Sequence, residues 1–391
     1  MENEIKTEYA HTLDGVTEAF KNKNLTDYEI LSYDETFDTV EVKHTCGTTF
    51  CCHPNHILDS WGCPACAKND TETATAEIYE FIKSIYPNPD NVIKDYYDKD
   101  DPKDEFHKID IYIPEKKTGI IYDNIYYKSF NRLHDKKFLR NQTFMWHERG
   151  IRILHILSDE WNGKKDIVKD RITVVLGCMK ESIYARNCKI VEITSEERTT
   201  FLNKYHIQGG DRANISVGLE YNGDLVAVYS LVNRRIAMGV KNGQARANQN
   251  EYELSRYATS NKYGRVVGGA SKLQKYCIKK YNIKKIVTYY DLRLSNIDST
   301  VYYKIGFNFD PTKRNKDGYS FSDPDYFYVN PITNRKTHRF NHTRQKCQKR
   351  WPEFFAKYPD TTEKNSTYRN GLFMFFDCGN AVLETVCDNI K

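Results

Sequence analysis

No run of apolar residues in this chain approaches the roughly 20 that a membrane-spanning helix needs. The opening residues, MENEIKTEYAHTLDG, are polar and acidic, so a secretory leader is not expected either. Both absences point to a folded cytoplasmic protein. Internal repeats and coiled-coil heptads are missing, which argues against solenoids and long fibrous assemblies. Net charge is small: 58 Lys and Arg against 53 Asp and Glu give +5 over 391 residues. Charge balance therefore does not by itself imply nucleic acid, and local clusters must carry any such case. The eleven cysteines are scattered and lack the framing of a small secreted disulfide scaffold. What remains is 39% hydrophobic and 28% charged, a composition expected to fold. The length is too great for one ordinary core and suits two or three domains.

Five cysteines do crowd together: Cys46, Cys51, Cys52, Cys63 and Cys66, within FDTVEVKHTCGTTFCCHPNHILDSWGCPAC. Without an export signal, such crowding favours metal over disulfides. Gly62-Cys63-Pro64-Ala65-Cys66 forms a knuckle whose backbone amides face the sulfurs and stabilise thiolates on Zn²⁺. Two further ligands are expected from His44, Cys46, Cys51, Cys52, His53 and His56, with His44 and Cys46 favoured. Four protein ligands leave no open position, so the expected role is structural or in docking to DNA. This zinc-binding module spans 36–68, after an N-terminal segment at 1–35.

Residues 71–86 carry Ile78, Phe81, Ile82 and Ile85 at helical spacing. A Pro/Asp/Lys loop follows to 107. Residues 108–161 then hold two β-rich runs, a basic link, a helix and a third apolar strand ending in Asp159-Glu160-Trp161. Val168–Leu176 reads as an amphipathic helix that closes the domain. From 188 onward, alternating strands resume, with a hairpin across Asn222-Gly223 of type I′. RVVGGASKLQKYCIKKY is a Gly-rich turn entering a helix, KKIVTYYDLRLSN a strand and loop, and STVYYKIGFNF a short helix and strand. Beyond 323 the chain is aromatic and basic.

Two resemblances rest on these stretches. The order KIDIYIPEKKTGIIYDNIYYKSF, basic link, HERGIRILHILSDEW resembles the core of Vsr-like (EDxHD-type) nucleases, a branch of the restriction-endonuclease-like fold found in many phage-encoded homing-endonuclease-like proteins. The resemblance covers 69–182 and implies acidic groups on adjacent strands holding Mg²⁺ at a scissile phosphate. Of the pattern's catalytic positions only Asp110 is retained. Ile121 stands where the metal-binding Glu belongs, Leu139 where the His belongs and Gln142 where the Lys belongs. Thr75 replaces the first-helix Glu, with Glu77 two residues on. Asp123 shares a strand face with Ile121 and offers a shifted acidic pair with Asp110, assisted by His107, Lys128 or His134. The H-x-C-G and G-C-P-x-C run likewise resembles the zinc modules that precede such domains.

The second resemblance is to GNAT acyltransferases, over 188–322. Arg265-Val266-Val267-Gly268-Gly269-Ala270 matches the R/Q-x-x-G-x-G/A loop, and implies that Arg265, Gly268, Gly269 and Ala270 cradle the pyrophosphate of acetyl-CoA or another acyl-CoA. Tyr302-Tyr303-Lys304-Ile305-Gly306-Phe307 matches Y-x-x-x-G-F, and implies that Tyr302 protonates the departing thiolate. The same half is similar to phage GNAT-like enzymes that modify adenine in DNA, which would put Tyr290, Asp291 and Ser295 beside Tyr302. Residues 323–391 read as a basic and aromatic extension packed on this domain.

The expectation is thus a multidomain α/β protein with a zinc-ribbon or treble-clef-like module, a degenerate restriction-endonuclease-like core and a GNAT-like domain. Its expected partner is double-stranded DNA, with cleavage lost or altered. Lys136, Lys137 and Arg140 are candidate phosphate contacts near the lost site. Arg339, Arg344, Lys346, Lys349 and Arg350 are candidates in the tail, among His338, His342 and Trp351. An acyl-CoA-dependent transferase and a non-enzymatic DNA-binding regulator or anti-defence protein are the alternatives.

Overall fold

The computed structural model describes residues 9–59, 62–233, 250–294, 300–309, 322–330, 333 and 335–387. It is a mixed α/β protein with five sheets among the described residues. Near the N-terminus, α1 (Leu13–Asn22), β1 (Tyr28–Asp34), β2 (Thr39–His44), β3 (Thr49–Cys52) and α2 (Pro54–Leu58) share one small core. Thr12 caps α1 by accepting from the Gly15 amide. β1 pairs with β2 from Tyr28 opposite His44 to Asp34 opposite Thr39, and β3 completes the antiparallel sheet. Residues 9–34 therefore share the core of the cysteine-bearing module, where sequence reading set the segment 1–35 apart. Its Val16 and Phe20 pack on Val40 and Val42, which no local pattern discloses.

The next layer is α3 (Pro64–Ile85), β4 (Ile93–Tyr96), β5 (Ile109–Ile113), β6 (Thr118–Asp123), α4 (Ile125–Lys128), α5 (Phe130–Leu133), α6 (Phe138–Glu148), β7 (Arg152–Leu157) and α7 (Ser158–Leu176). Sheet order follows chain order. β4–β5 and β5–β6 are antiparallel, and β6–β7 is parallel. Alternation along the strands sets two faces. Ile111, Ile113, Ile120, Tyr122, Leu154 and Ile156 pack with Ile78 and Ile82 of α3 and Trp161 and Ile172 of α7. Ile121 and Ile153 pack with Trp146 of α6. Asp159, Glu160 and Trp161 are not the end of a strand. β7 stops at Leu157 and they form the first turn of α7, which bends at Lys164.

The carboxy-terminal half is built on a seven-stranded sheet. Its elements are β8 (Ser182–Tyr184), β9 (Lys189–Glu192), α8 (Ser195–Tyr205), β10 (Ile215–Tyr221), β11 (Asp224–Asn233), β12 (Glu251–Thr259), β13 (Arg265–Val267), α9 (Gly269–Tyr281), β14 (Lys285–Asp291), α10 (Val301–Lys304) and β15 (Asn308–Phe309). Then come β16 (Tyr326–Asn330), β17 (Arg335–His338), α11 (Arg344–Arg350), α12 (Pro352–Lys357), α13 (Glu363–Tyr368), β18 (Phe373–Phe376) and β19 (Asn380–Val386). The large sheet runs β15-β19-β14-β12-β11-β10-β9. The β10–β11 turn has positive φ at both Asn222 and Gly223, as a type I′ hairpin requires. β19 lies between β14 and β15, so the last described strand is a member of the sheet and not part of an extension. Described residues between β15 and β19 form a separate sheet, β17-β16-β18.

The two sheets share a core. Ile125, Leu139 and Leu157 from the first join Val217, Tyr229, Leu273, Ile286 and Phe307 of the second. A buried charged seam reinforces the junction. Arg293, just past β14, donates two hydrogen bonds to Glu160 of α7, both at 3.0 Å, and another to Asp291 at 2.8 Å. Lys336 of β17 reaches the same Glu160 at 2.9 Å and Asp159 at 3.3 Å. Breaking a buried ion pair on one side strands the other charge, at a cost of about 3–5 kcal/mol. Glu160→Gln is expected to lower stability in urea unfolding by about that amount; a change indistinguishable from zero would contradict this role.

Candidate functional site

Three groups of residues named from the sequence can be followed into space. The first is the cysteine window. β2 delivers His44, the turn at Gly47 (φ +89°) brings Cys46 back, and the start of α3 supplies Cys63 as its N-cap and Cys66 in its first turn. The ligand atoms of these four residues all lie within 4.8 Å of one another. Cys46 Sγ is 3.8 Å from Cys63 Sγ, and Cys66 Sγ is 3.7 Å from His44 Nδ1. Zn–S bonds of about 2.3 Å set tetrahedral S···S edges at about 3.8 Å, so the donor set and its dimensions fit one closed tetrahedral ion. Of the other candidates, His53 pairs with Asp38 at 3.0 Å, His56 contacts the Gly62 carbonyl, Cys52 faces the small core, and Cys51 is exposed and outside the cluster. The Thr48 hydroxyl, then His44, holds the Cys46 thiol down to about 6, which favours the thiolate a metal requires.

The second group is the nuclease-like constellation, and it does not assemble. Asp110 takes a hydrogen bond from the Tyr122 amide (2.8 Å) and pairs with Lys108 (3.1 Å); burial raises its pKa. Asp123 is wholly buried and bonds His155 Nδ1 at 2.8 Å, while His155 Nε2 meets the Thr143 hydroxyl at 2.9 Å. Mg²⁺ demands six oxygens and keeps several waters, so a sealed Asp123 does not fit that ion. Among the described residues, no cluster of three or more candidate ligands includes either aspartate. Lys128 and His107 are paired with Glu105 and Asp104. Leu139 lies in the shared core, and Gln142 is wholly buried, donating to the carbonyls of Glu105 and Phe106. Thr75 bonds within its own helix, and Glu77 holds the Trp161 indole.

The third group lies where β12 and β14 part. These strands form the single parallel pairing of the large sheet, and it lasts only from Glu251 opposite Lys285 to Leu254 opposite Thr288. β12 stays with β11 as far as Thr259, and β14 stays with β19 as far as Asp291, so the sheet splits between them. Tyr302, on α10, sits at this split. The Thr288 hydroxyl lies against its phenol, and Tyr290 stacks on it at 6.2 Å. Burial raises the Tyr302 pKa, against the opposing pull of Thr288, Arg171 and Arg256. Ser295 lies outside the described residues.

Arg265 to Ala270 make the strand-to-helix junction expected of them. Arg265 is exposed on β13, Gly268 is the N-cap of α9 with φ +78°, and Gly269 and Ala270 open the helix. Gly268 offers no capping side chain, and the Ala270 amide bonds the Tyr257 hydroxyl. A Cβ on Gly269 would lie 2.8 Å from the Tyr257 hydroxyl, so a larger residue there would push Tyr257 aside. Tyr257 went unnoticed in the sequence; its place in the alternating run ELSRYAT, on the α9 face of β12, was the available signal.

The basic candidates divide. Arg140 is buried, 3.6 Å from Asp323, and cannot serve as a phosphate contact. Lys136 is exposed and Lys137 half-buried. Arg339 pairs with Asp325 at 3.1 Å. Arg344, Lys346 and Arg350 donate to the carbonyls of Thr361, Phe340 and Asn341 and, among the described residues, meet no carboxylate, and Lys349 is exposed.

No family model and no curated protein matches the chain. Among solved structures it is similar to an IAA acetyltransferase from Bacillus cereus ATCC 14579, at 14% identity and TM-score 0.24, covering 51% of this chain and 99% of that one. It is also similar to a GNAT family acetyltransferase from Elizabethkingia anophelis with acetyl-CoA bound, at 14% identity and TM-score 0.26, covering 51% and 98%. No helix among the described residues is long and apolar enough to cross a membrane.

The four-ligand cluster generates one expectation. Protein purified without chelator should carry one zinc per chain by elemental analysis, and Cys66→Ser should lose it and melt at lower temperature. Wild-type protein that is metal-free yet melts at the same temperature with and without added zinc would contradict a structural metal.

Proposed function

We propose that the carboxy-terminal half is an acyl-CoA-dependent acyltransferase of the GNAT type, working at the split between β12 and β14. The observation that carries this reading is the parting of those two strands after four paired residues, with the Tyr302 phenol at the point of parting. The start of α9 lies beside β12 and, apart from the Ala270 amide held by the Tyr257 hydroxyl, offers backbone N–H groups and a helix N-terminus to a pyrophosphate. The exposed Gly268 lets that group approach closely, while Gly269 lets the helix pack on Tyr257. An acceptor amine would attack the thioester carbonyl; the new C–N bond forms, the C–S bond breaks and CoA departs as a thiolate. Tyr302 donates its proton to that sulfur, and the amine's proton passes to solvent. A phenol whose pKa is raised by burial is protonated at neutral pH, as a general acid must be.

A second reading concerns the amino-terminal half. It serves as a scaffold derived from a nuclease-like fold, with cleavage lost and double-stranded DNA as its partner. The observation favouring lost cleavage is that Ile121, Leu139 and Gln142 are sealed into the interior while Asp123 is bonded to His155. The exposed Lys136, Lys349 and Arg350, with the half-buried Lys137, are the cations that would meet phosphates.

Acetyl-CoA titrated calorimetrically into the full chain is expected to bind, and Gly269→Val to abolish binding by forcing Tyr257 aside. Tyr302→Phe should retain acetyl-CoA binding while lowering kcat by about 10²- to 10⁴-fold. Absence of binding at millimolar acetyl-CoA, or full turnover in Tyr302→Phe, would contradict the assignment.

A further inference from the structure

We infer that the surface made by β17, the turn Arg339–His342 and α11 binds single-stranded DNA, with a base stacked on the exposed pair His338 and Phe340 and backbone phosphates on Lys346 and Arg350. This rests on the DNA reading above and names the surface and the form of DNA that it takes.

The charge is local. From 326 to 352 the sequence has seven Lys and Arg and no Asp or Glu, more positive charge than the +5 of the whole chain. Two of the seven are neutralised, Lys336 by Asp159 and Glu160 and Arg339 by Asp325. The other five are Arg335, Arg344, Lys346, Lys349 and Arg350. All are exposed, and among the described residues they meet no carboxylate. Such a stretch attracts a polyanion.

The cations that matter are ordered, unlike those of a loosely solvated face. Lys346 donates to the Phe340 carbonyl at 2.6 Å and Arg350 to the Asn341 carbonyl at 3.3 Å. The buried Cys347 thiol holds the next carbonyl, that of His342, at 3.3 Å. Arg350 also donates to His342 Nδ1 at 3.1 Å. A guanidinium has no acceptor, so the His342 proton sits on Nε2 and goes to the Thr337 hydroxyl at 2.7 Å. Lys346 and Arg350 lie four residues apart, on one face of α11 and about 6 Å along its axis. An ammonium has three N–H donors and a guanidinium five, so each keeps some for a phosphate. Side chains ordered before the ligand arrives lower the cost of binding it.

Phe340 stands on this braced turn with 56% of its surface exposed. Its amide donates to His338 Nδ1 at 3.3 Å. Its ring stacks on the His338 imidazole, with centroids 4.9 Å and planes 30° apart, and the Arg339 guanidinium lies 5.0 Å from the ring centre. The other exposed phenylalanine among the described residues, Phe37, sits between Glu35 and Asp38, where a nucleic acid is repelled. At Phe340 a flat apolar ring and fixed cations adjoin, which suits a ligand that is flat and anionic at once. Inside a duplex both faces of each base are covered, whereas an unpaired base offers a face. A ring already flanked by His338 and Arg339 is poorly shaped to wedge between paired bases, but it can extend a stack.

Fluorescence anisotropy tests this on the full chain. The probes are a labelled DNA strand of about 20 nucleotides, longer than a typical single-strand site, the duplex of the same sequence and the RNA of the same sequence. The single strand is expected to bind at least tenfold more tightly than the duplex. Phe340→Ala should weaken that binding by at least about fivefold, with Phe340→Trp restoring it and the melting temperature unchanged, since the ring is exposed. Lys346→Gln combined with Arg350→Gln should flatten the slope of log Kd against log salt by about 1.4, which Phe340→Ala should not do. Duplex binding as tight as single-strand binding and untouched by Phe340→Ala overturns the inference and leaves the DNA reading standing. Single-strand binding lost in Phe340→Ala, in a protein that does not bind the duplex, supports the inference and overturns the duplex as partner. Tighter binding of the RNA overturns the assignment to DNA, and no binding of any strand overturns both readings.

Discussion

The bond between Arg293 and Glu160 is the constraint on which the rest of the molecule depends. It joins the end of β14 to the first turn of α7, both side chains being about 5% exposed. Bidentate geometry fixes the direction of the loop after β14 as well as its position. The same loop lies along the edge of β7, where the Arg293 carbonyl accepts from the His155 amide at 3.1 Å. Two sheets with different strand orders are held there as one body. α7 consequently bonds just past the ends of both parted strands, Glu160 to Arg293 after β14 and Asp170 to Asn261 after β12.

That arrangement accounts for how the two halves divide the chemistry. The four-stranded layer has spent its acidic positions on structure. Asp123 and His155 bind each other, and Asp110 accepts from a backbone amide beside Lys108. The seven-stranded layer supplies the parted strands, the opening of α9 and Tyr302. The four-ligand cluster acts at a distance from both. By fixing the start of α3, a 22-residue helix whose Ile78 and Ile82 lie in the first core, a bound ion would steady the layer to which α7 belongs.

Much of this was legible in the sequence wherever the signal was local. The type I′ hairpin at Asn222-Gly223, the helix after Gly268 and the cysteine knuckle each depend on a few adjacent residues. Ile121 and Leu139 were informative in the same way, because an apolar residue in a catalytic position already argues for burial. What could not be read depends on distant partners. β19 pairs with β14 across roughly ninety residues of chain, and nothing within Asn380–Val386 marks its place in the sheet. Glu160 looked like the end of a strand because its partner Arg293 is 133 residues away. Arg140 looked like surface charge after Lys136 and Lys137, yet it shares the inner face of α6 with Thr143.

Hydrogen exchange of the full chain with and without acetyl-CoA tests the central claim most directly, because it reports where the ligand sits. The account predicts slower exchange at the start of α9, from Gly269 to Lys272, and along the parted segments Ser255–Thr259 and Tyr289–Asp291. The strands carrying Asp110 and Asp123 should be unchanged. Protection confined to 108–161, or no protection at α9 under saturating ligand, would contradict it.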